Sequence, residues 1–253
     1  MGGQLDGWRC CKRTEEKVSV NWSAFWERYP KKGGEDLFKQ VGKTVAGVPI
    51  TMVQLQASIK DIACNLELNE ADTLLDLCCG NGLLTCQLAM QCKHVVGIDF
   101  SAPLIEQAKG RCSRSNVEYR LLDIKELAAL QGEYAEYFDK VLLNDAIAYL
   151  DERELSSVLR HALQLSKSSV TLMIGDILDN RLKWHFFDTW RRRIDYLVWI
   201  KLLGRDPGLG KWWNFSRLGS IARELGLSCE SHRKSNWQHN AHYRIDAVLR
   251  AFS

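Results

Sequence analysis

At 253 residues, 46% hydrophobic and 26% charged, the chain has the size and balance of one soluble α/β domain with additions. Its net charge of +3 does not argue for nucleic acid, because binding by charge needs a clustered basic patch. No apolar run approaches the ~18 residues of a membrane span and the first residues lack the apolar core of a secretory signal, so a cytoplasmic protein without a membrane span is expected.

Residues 1–50 are aromatic, charged and glycine-bearing with weak periodicity, and read as an N-terminal extension ahead of a main domain over 51–253. Gly42-Lys43-Thr44 resembles the tail of a phosphate-binding loop, but that motif needs a glycine where Leu37 stands. Leu55, Ile59, Ile62 and Leu66 form a helical stripe. Residues 73–78 read as a first strand, ending at Gly80-Asn81-Gly82. A second strand, 95–98, ends at Asp99, and Ser101 with Pro103 can open the next helix. Residues 117–122 read as a third strand ending at Asp123, and 140–143 as a fourth. Asp151 and Glu154 resemble a capping box before a helical stripe, and 169–174 is a fifth strand. Strands alternating with amphipathic helices imply right-handed crossovers and a mostly parallel sheet.

After Gly175 the rhythm breaks. Residues 181–217 hold nine aromatics (Trp184, Phe186, Phe187, Trp190, Tyr196, Trp199, Trp212, Trp213, Phe215) and nine Lys/Arg against three Asp. Inserted after the fifth strand, this segment is expected to form a lid over the acceptor side, the alternatives being plain packing on the core or a membrane or partner surface. A helix over 216–225 with Gly226 at its end, and closing strands over 227–231 and 243–249 at a sheet edge, complete the pattern.

Nine cysteines, an odd number, lie mostly in apolar runs where Cys acts as a small hydrophobe. Adjacent Cys10-Cys11 and Cys78-Cys79 lack the paired spacing of a zinc site, so no metal is expected. A reduced, intracellular chain follows.

The chemistry lies in the first strand and its loop, Leu75-Asp76-Leu77-Cys78-Cys79-Gly80-Asn81-Gly82, since open α/β sheets bind ligands beyond the carboxyl ends of their strands. A dinucleotide fingerprint would need glycine at position 85, which is Thr85. Asp76 would repel a pyrophosphate but attract a ligand bearing an ammonium and a sulfonium. Asp99, 23 residues later, can take two ribose hydroxyls, and Asp123 can accept from an adenine amine. Three acids at three successive strand ends describe a nucleoside with a cationic tail.

Residues 73–150 resemble the S-adenosylmethionine (SAM)-binding half of class I methyltransferases, on LLDLCCGNG, VVGIDFS and LLDI in register. Cys78 takes the place of that family's first glycine. The resemblance implies a seven-stranded, mostly parallel Rossmann-like sheet with helices on both faces and an antiparallel last strand. It implies SAM as cofactor, bound by Asp76, Cys78, Gly80, Gly82, Asp99, Phe100, Asp123, Ile124 and Asn144, and covered by the N-terminal extension over 1–50 through Phe25, Trp26, Tyr29 and Gln40 to Thr44. The fourth strand's end, Asn144-Asp145-Ala146-Ile147-Ala148-Tyr149, lies where the family places acceptor-facing residues. It lacks the Asn/Asp-Pro-Pro-Tyr/Phe signature of nucleobase-amine enzymes, and no paired-glutamate loop of protein-arginine enzymes is evident.

A small-molecule acceptor, methylated on oxygen or nitrogen, is therefore expected, rather than nucleic acid. Asp145 is the first candidate for acceptor contact or base work and His185 the second. His232, His239 and His242 gather near the closing strands without an evident partner. The rival readings are an RNA-, protein- or carrier-directed methyltransferase, a nicotinamide-dependent oxidoreductase, and a non-catalytic SAM-binding protein.

Overall fold

The structure, a computed structural model, describes residues 21–198, 200 and 209–251. The first part of the N-terminal extension, with Cys10 and Cys11, and part of the aromatic segment, with Trp199, lie outside the described residues. In chain order the elements are α1 (Trp22–Lys32), α2 (Leu37–Gln40), β1 (Thr44–Val45), β2 (Val48–Pro49), α3 (Met52–Leu66), β3 (Thr73–Leu77), α4 (Thr85–Leu88), β4 (His94–Asp99), α5 (Ala102–Arg111) and β5 (Val117–Leu121). They continue with α6 (Gln131–Tyr134), β6 (Phe138–Asn144), α7 (Glu152–Gln164), β7 (Ser166–Leu178), α8 (Lys183–Phe186), α9 (Trp190–Leu197), α10 (Phe215–Glu224), β8 (Leu227–Arg233) and β9 (Arg244–Ala251).

Seven strands form one sheet in the order β5-β4-β3-β6-β7-β9-β8. The pairs from β5 to β7 are parallel, and β9 runs antiparallel to both β7 and β8. The expected Rossmann-like architecture is present, with one refinement: of the two closing strands, β9 is inside the sheet and β8 forms the edge. Every residue of β3 is buried, as a central parallel strand covered on both faces requires. On one face α3 packs through Leu55, Ile59, Ile62 and Leu66, its first turn closed by a Thr51–Gln54 capping box. On the other, α7 packs through Leu155, Val158, Leu159 and Ala162 behind the Asp151–Glu154 capping box that the sequence shows.

Two segments depart from expectation. β7 extends to Leu178, not Ile174, because pairing with β9 resumes beyond a register shift between Ile174 and Ile177. Asp176 sits in that irregularity with φ +61°, and its backbone N–H donates to Asp246 Oδ1 at 2.9 Å instead of to the ladder. Residues 21–50, whose weak periodicity marks no particular element, form α1, α2 and the β1–β2 hairpin. Asn81 Nδ2 donates to Leu37 O (2.8 Å) and Gln40 Oε1 (2.9 Å), and the Ser101 hydroxyl donates to Trp26 O (3.1 Å), tying this segment to the loops beyond β3 and β4.

Past β7, Trp213 is buried; its indole N–H donates to Ile147 O at 3.0 Å and its backbone N–H to Leu178 O at 2.8 Å. It clips the loop after β6 to the end of β7. Gly82 shows how tightly the first loop packs. It has φ +75°, and a Cβ there would fall on the Tyr119 hydroxyl and 3.0 Å from Cys112 Cβ. Gly82→Ala is expected to lower stability by about 2–4 kcal/mol through left-handed strain and overpacking, read as a shifted urea midpoint with unchanged slope.

Candidate active site

The site lies at the carboxyl ends of β3, β4 and β6. Leaving β3, the chain turns through three residues in the left-handed region: Cys78 (φ +59°), Gly80 (φ +58°) and Gly82. Cys78 stands there at the conformational cost that a glycine avoids. The Cys79 backbone N–H donates to Ile98 O at 2.9 Å and keeps the loop against β4. Burial, reinforced by Asp99, pushes the thiols of Cys78 and Cys79 well above the ordinary range, so they stay protonated and unreactive.

A cavity of about 190 Å³ opens beyond this loop. Asp76, Cys78, Gly80, Asp99, Phe100 and Asn144 line it together, as does Asp145. Gly82, Asp123 and Ile124 do not; Gly82 serves packing, Asp123 caps the following turn through Lys125 N–H (2.9 Å), and Ile124 is buried. His185 is exposed and away from the cavity, its Nδ1 3.1 Å from His242 O. The geometry thus separates His185 from Asp145, because α8 packs outward on the closing hairpin.

The two acids at the deep end lack a counter-cation among the described residues. Asp76 is buried, its Oδ2 accepting from the Thr85 hydroxyl at 2.6 Å, and burial lifts its carboxyl to about 7. Asp99 accepts from Gly80 N–H and Ser101 N–H, both at 2.9 Å, and burial lifts it to about 6.

The opposite end is electrically closed. Lys43 Nζ reaches Asp145 Oδ2 (2.9 Å) and Asp176 Oδ2 (3.1 Å), and Arg244 also pairs with Asp145. Behind them Lys234 Nζ bridges Asp176 Oδ1 (2.9 Å) and Asp246 Oδ1 (3.1 Å), and Asn240 Nδ2 donates to Asp176 Oδ1 (2.7 Å). Burial alone would raise Asp145, but Arg244 and Lys43 outweigh it and hold the carboxyl below its usual range. Burial also pushes His239, beside the network, down to about 4, so it is neutral at physiological pH. Tyr149 and Trp26 complete this wall; Trp22 packs on Tyr149 with ring centroids 4.5 Å apart. Burial raises the Tyr149 phenol, which therefore acts as a neutral hydrogen-bonding group.

Sequence reasoning places Lys43 only within the stretch Gln40 to Thr44 that covers the cofactor, with no ion-pair partner, and it misses Tyr149 and Arg244. Arg244 stands unmarked at the start of an apolar strand. Tyr149 was visible in the acceptor-facing stretch but not singled out.

A family described as "Methyltransferase domain" matches residues 68–201, more than half of the chain. The chain belongs to the class I SAM-dependent methyltransferases. An uncharacterised methyltransferase of Schizosaccharomyces pombe is 39% identical over 93 residues, which cover 36% of this chain and 34% of that protein. A 23S rRNA (uracil(1939)-C(5))-methyltransferase of Pectobacterium carotovorum is 30% identical over 124 residues, 46% of this chain and 28% of the other. The chain thus spans about a third or less of these two relatives' lengths. Among solved structures, phosphoethanolamine N-methyltransferase 1 of Haemonchus contortus, crystallised with phosphoethanolamine and S-adenosylhomocysteine, shares the fold. It has a TM-score of 0.65 at 16% identity, over 90% of this chain and 48% of that one.

The residues present fit SAM. Two buried carboxylates without a counter-cation accept the donors that its ammonium and ribose hydroxyls offer, and the left-handed turn brings backbone close to the ligand. Because Asp76 and Asp99 are raised in the free protein, protons compete with the cofactor below about pH 7. On the expectation that these two carboxylates hold the cofactor in their ionised forms, affinity rises with pH through 6–7 and then levels. Titration calorimetry should show SAM binding well over about tenfold weaker near pH 5 than near pH 8, a pH dependence that Asp76→Asn reduces to the smaller part set by Asp99.

Proposed function

We propose that this enzyme methylates an oxygen or nitrogen of a small molecule, in the cytoplasm, within the cavity roofed by residues 21–50. The observation that carries this reading is the roof itself: Trp26, Val41, Gly42 and Lys43 from the N-terminal segment line the same cavity as the loop after β3. A space of about 190 Å³ closed in this way suits a compact acceptor better than a folded polymer. The structural likeness to an enzyme crystallised with phosphoethanolamine supports the same class of acceptor.

Bound SAM supplies a methyl group on a sulfonium, transferred by in-line displacement, for which positioning is the main requirement. In this reading Asp76 holds the ammonium and Asp99 the ribose hydroxyls. Asp123, outside the cavity lining but close enough to raise Asp99 and Cys78, takes the adenine amine, with Phe100 beside the base and Ile124 behind it. Cys78 and Gly80 offer backbone contact, while Asn144 and Asp145 face the transferred group. Asp145, held below its ordinary range by Arg244 and Lys43, makes a poor proton acceptor and serves as a fixed polar contact. Tyr149 offers its phenol to the acceptor. Tyr149→Phe should cost roughly tenfold in kcat/KM while SAM affinity stays unchanged.

The second reading is a polymer acceptor. It is favoured by the rRNA methyltransferase relative and by the basic, aromatic 181–217 segment. Incubating the enzyme with methyl-labelled SAM and a cell extract, then splitting the products by acid precipitation, separates the two. Label in the acid-soluble fraction is the expected result. Label confined to the precipitate would overturn the small-molecule assignment.

A further inference from the structure

Helix α9 turns an apolar stripe toward solvent. Trp190 (74% exposed), Ile194 (50%) and Leu197 (39%) stand at i, i+4 and i+7, within an arc of about 60° on the helix. The opposite face is the packed one: Tyr196 is buried, its ring centroid 4.3 Å from Phe187 and 6.1 Å from Trp184. Cations flank the stripe. Arg191 lies on one side, exposed and making no polar contact among the described residues. Arg193 lies on the other, its Nε donating to Phe187 O at 2.9 Å and its guanidinium 5.6 Å from the Trp184 ring centroid. From 183 to 200 the chain carries four Lys/Arg against two Asp.

We infer that this face of α9 docks on an anionic lipid bilayer. A short helix with Trp and aliphatic residues on one face and arginines along both margins matches an interfacial membrane element. Its apolar stripe enters the acyl boundary while the guanidiniums meet anionic headgroups. Two other occupants fit less well. Single-stranded nucleic acid stacks on successive aromatic rings, whereas here Ile194 and Leu197, which have no ring to stack, follow Trp190. A second copy related by two-fold symmetry would set the arginines of one helix against those of the other. Among the described residues no helix is long and apolar enough to cross a membrane, so the association is peripheral.

One ring contact links α8, the neighbour of this surface in the chain, to the start of β9. Phe186, on α8, packs its ring 4.8 Å from that of Tyr243, the neighbour of cavity-lining Arg244. The inference concerns binding and not turnover, so it stands or falls independently of the acceptor assignment.

The test is co-sedimentation of the full chain with vesicles of phosphatidylcholine alone or with about one part in four phosphatidylglycerol. The protein is expected to pellet with the anionic vesicles only and to be released by about 0.5 M salt. Arg191→Glu, and separately the double variant Trp190→Ser with Ile194→Ser, should each reduce binding about fivefold or more while SAM binding confirms intact folding. The inference is overturned if the wild-type chain stays in the supernatant, or if both variants pellet as it does. It is equally overturned if ultracentrifugation shows a dimer that the double variant dissociates, or if the stripe binds an RNA oligonucleotide and not the vesicles.

Discussion

A balanced set of buried charges governs how this protein holds together. Three acids, Asp145, Asp176 and Asp246, meet three bases, Lys43, Lys234 and Arg244; Asp176, Asp246 and Lys234 are buried from water, while Asp145, Lys43 and Arg244 keep part of their side chains at the cavity surface. Their sources are scattered: the N-terminal segment supplies Lys43, the ends of β6 and β7 supply two of the acids, and the closing hairpin supplies the rest. Removing one member would leave a buried charge unpaired, typically a loss of about 3–5 kcal/mol. The network also explains two strained residues. Asp145 and Asp176 both adopt positive φ (+58° and +61°), a cost offset by the ion pairs that this backbone geometry permits.

The cavity is electrically lopsided as a result. At its deep end Asp76 and Asp99 carry carboxylates that pair with no cation among the described residues, and burial raises both. At the opposite end Asp145 and Asp176 are each paired with bases. A cationic, hydroxylated ligand therefore gains from one direction only, and its orientation follows from the charges alone. The same asymmetry distinguishes two aspartates that look alike in the sequence. Asp76 is poised near neutrality, whereas Asp145 is locked in its ionised form.

The strands and the glycine loop were legible because they follow local rules: apolar runs of strand length, acids at their ends, and turn residues between them. The cavity brings Asp76, Asp99 and Asn144 together from that reading alone. The ion pairs of Lys43 and Arg244 were not legible, since each is defined by a partner about a hundred residues away, 102 for Lys43 and 99 for Arg244. Asp176 was hidden for a different reason. A glycine and an acid after an apolar run look like a strand's end, yet Asp246 accepts the orphaned N–H and the strand goes on. His185 drew notice as a histidine among aromatics, and that setting proved to be an exposed turn packed away from the cavity.

The reach of Lys43 carries a kinetic consequence. Its two carboxylate partners lie 102 and 133 residues downstream, and Asp145 is shared with Arg244 on the strand that enters the sheet last in chain order. A chain emerging from the ribosome can form β3, its glycine loop and the parallel strands early, but cannot seal the cavity until β9 has inserted between β7 and β8. Closing such long loops is slow because their entropy is lost before the contacts repay it. During synthesis the roof segment is therefore made before the sheet that it covers and is among the last structures completed.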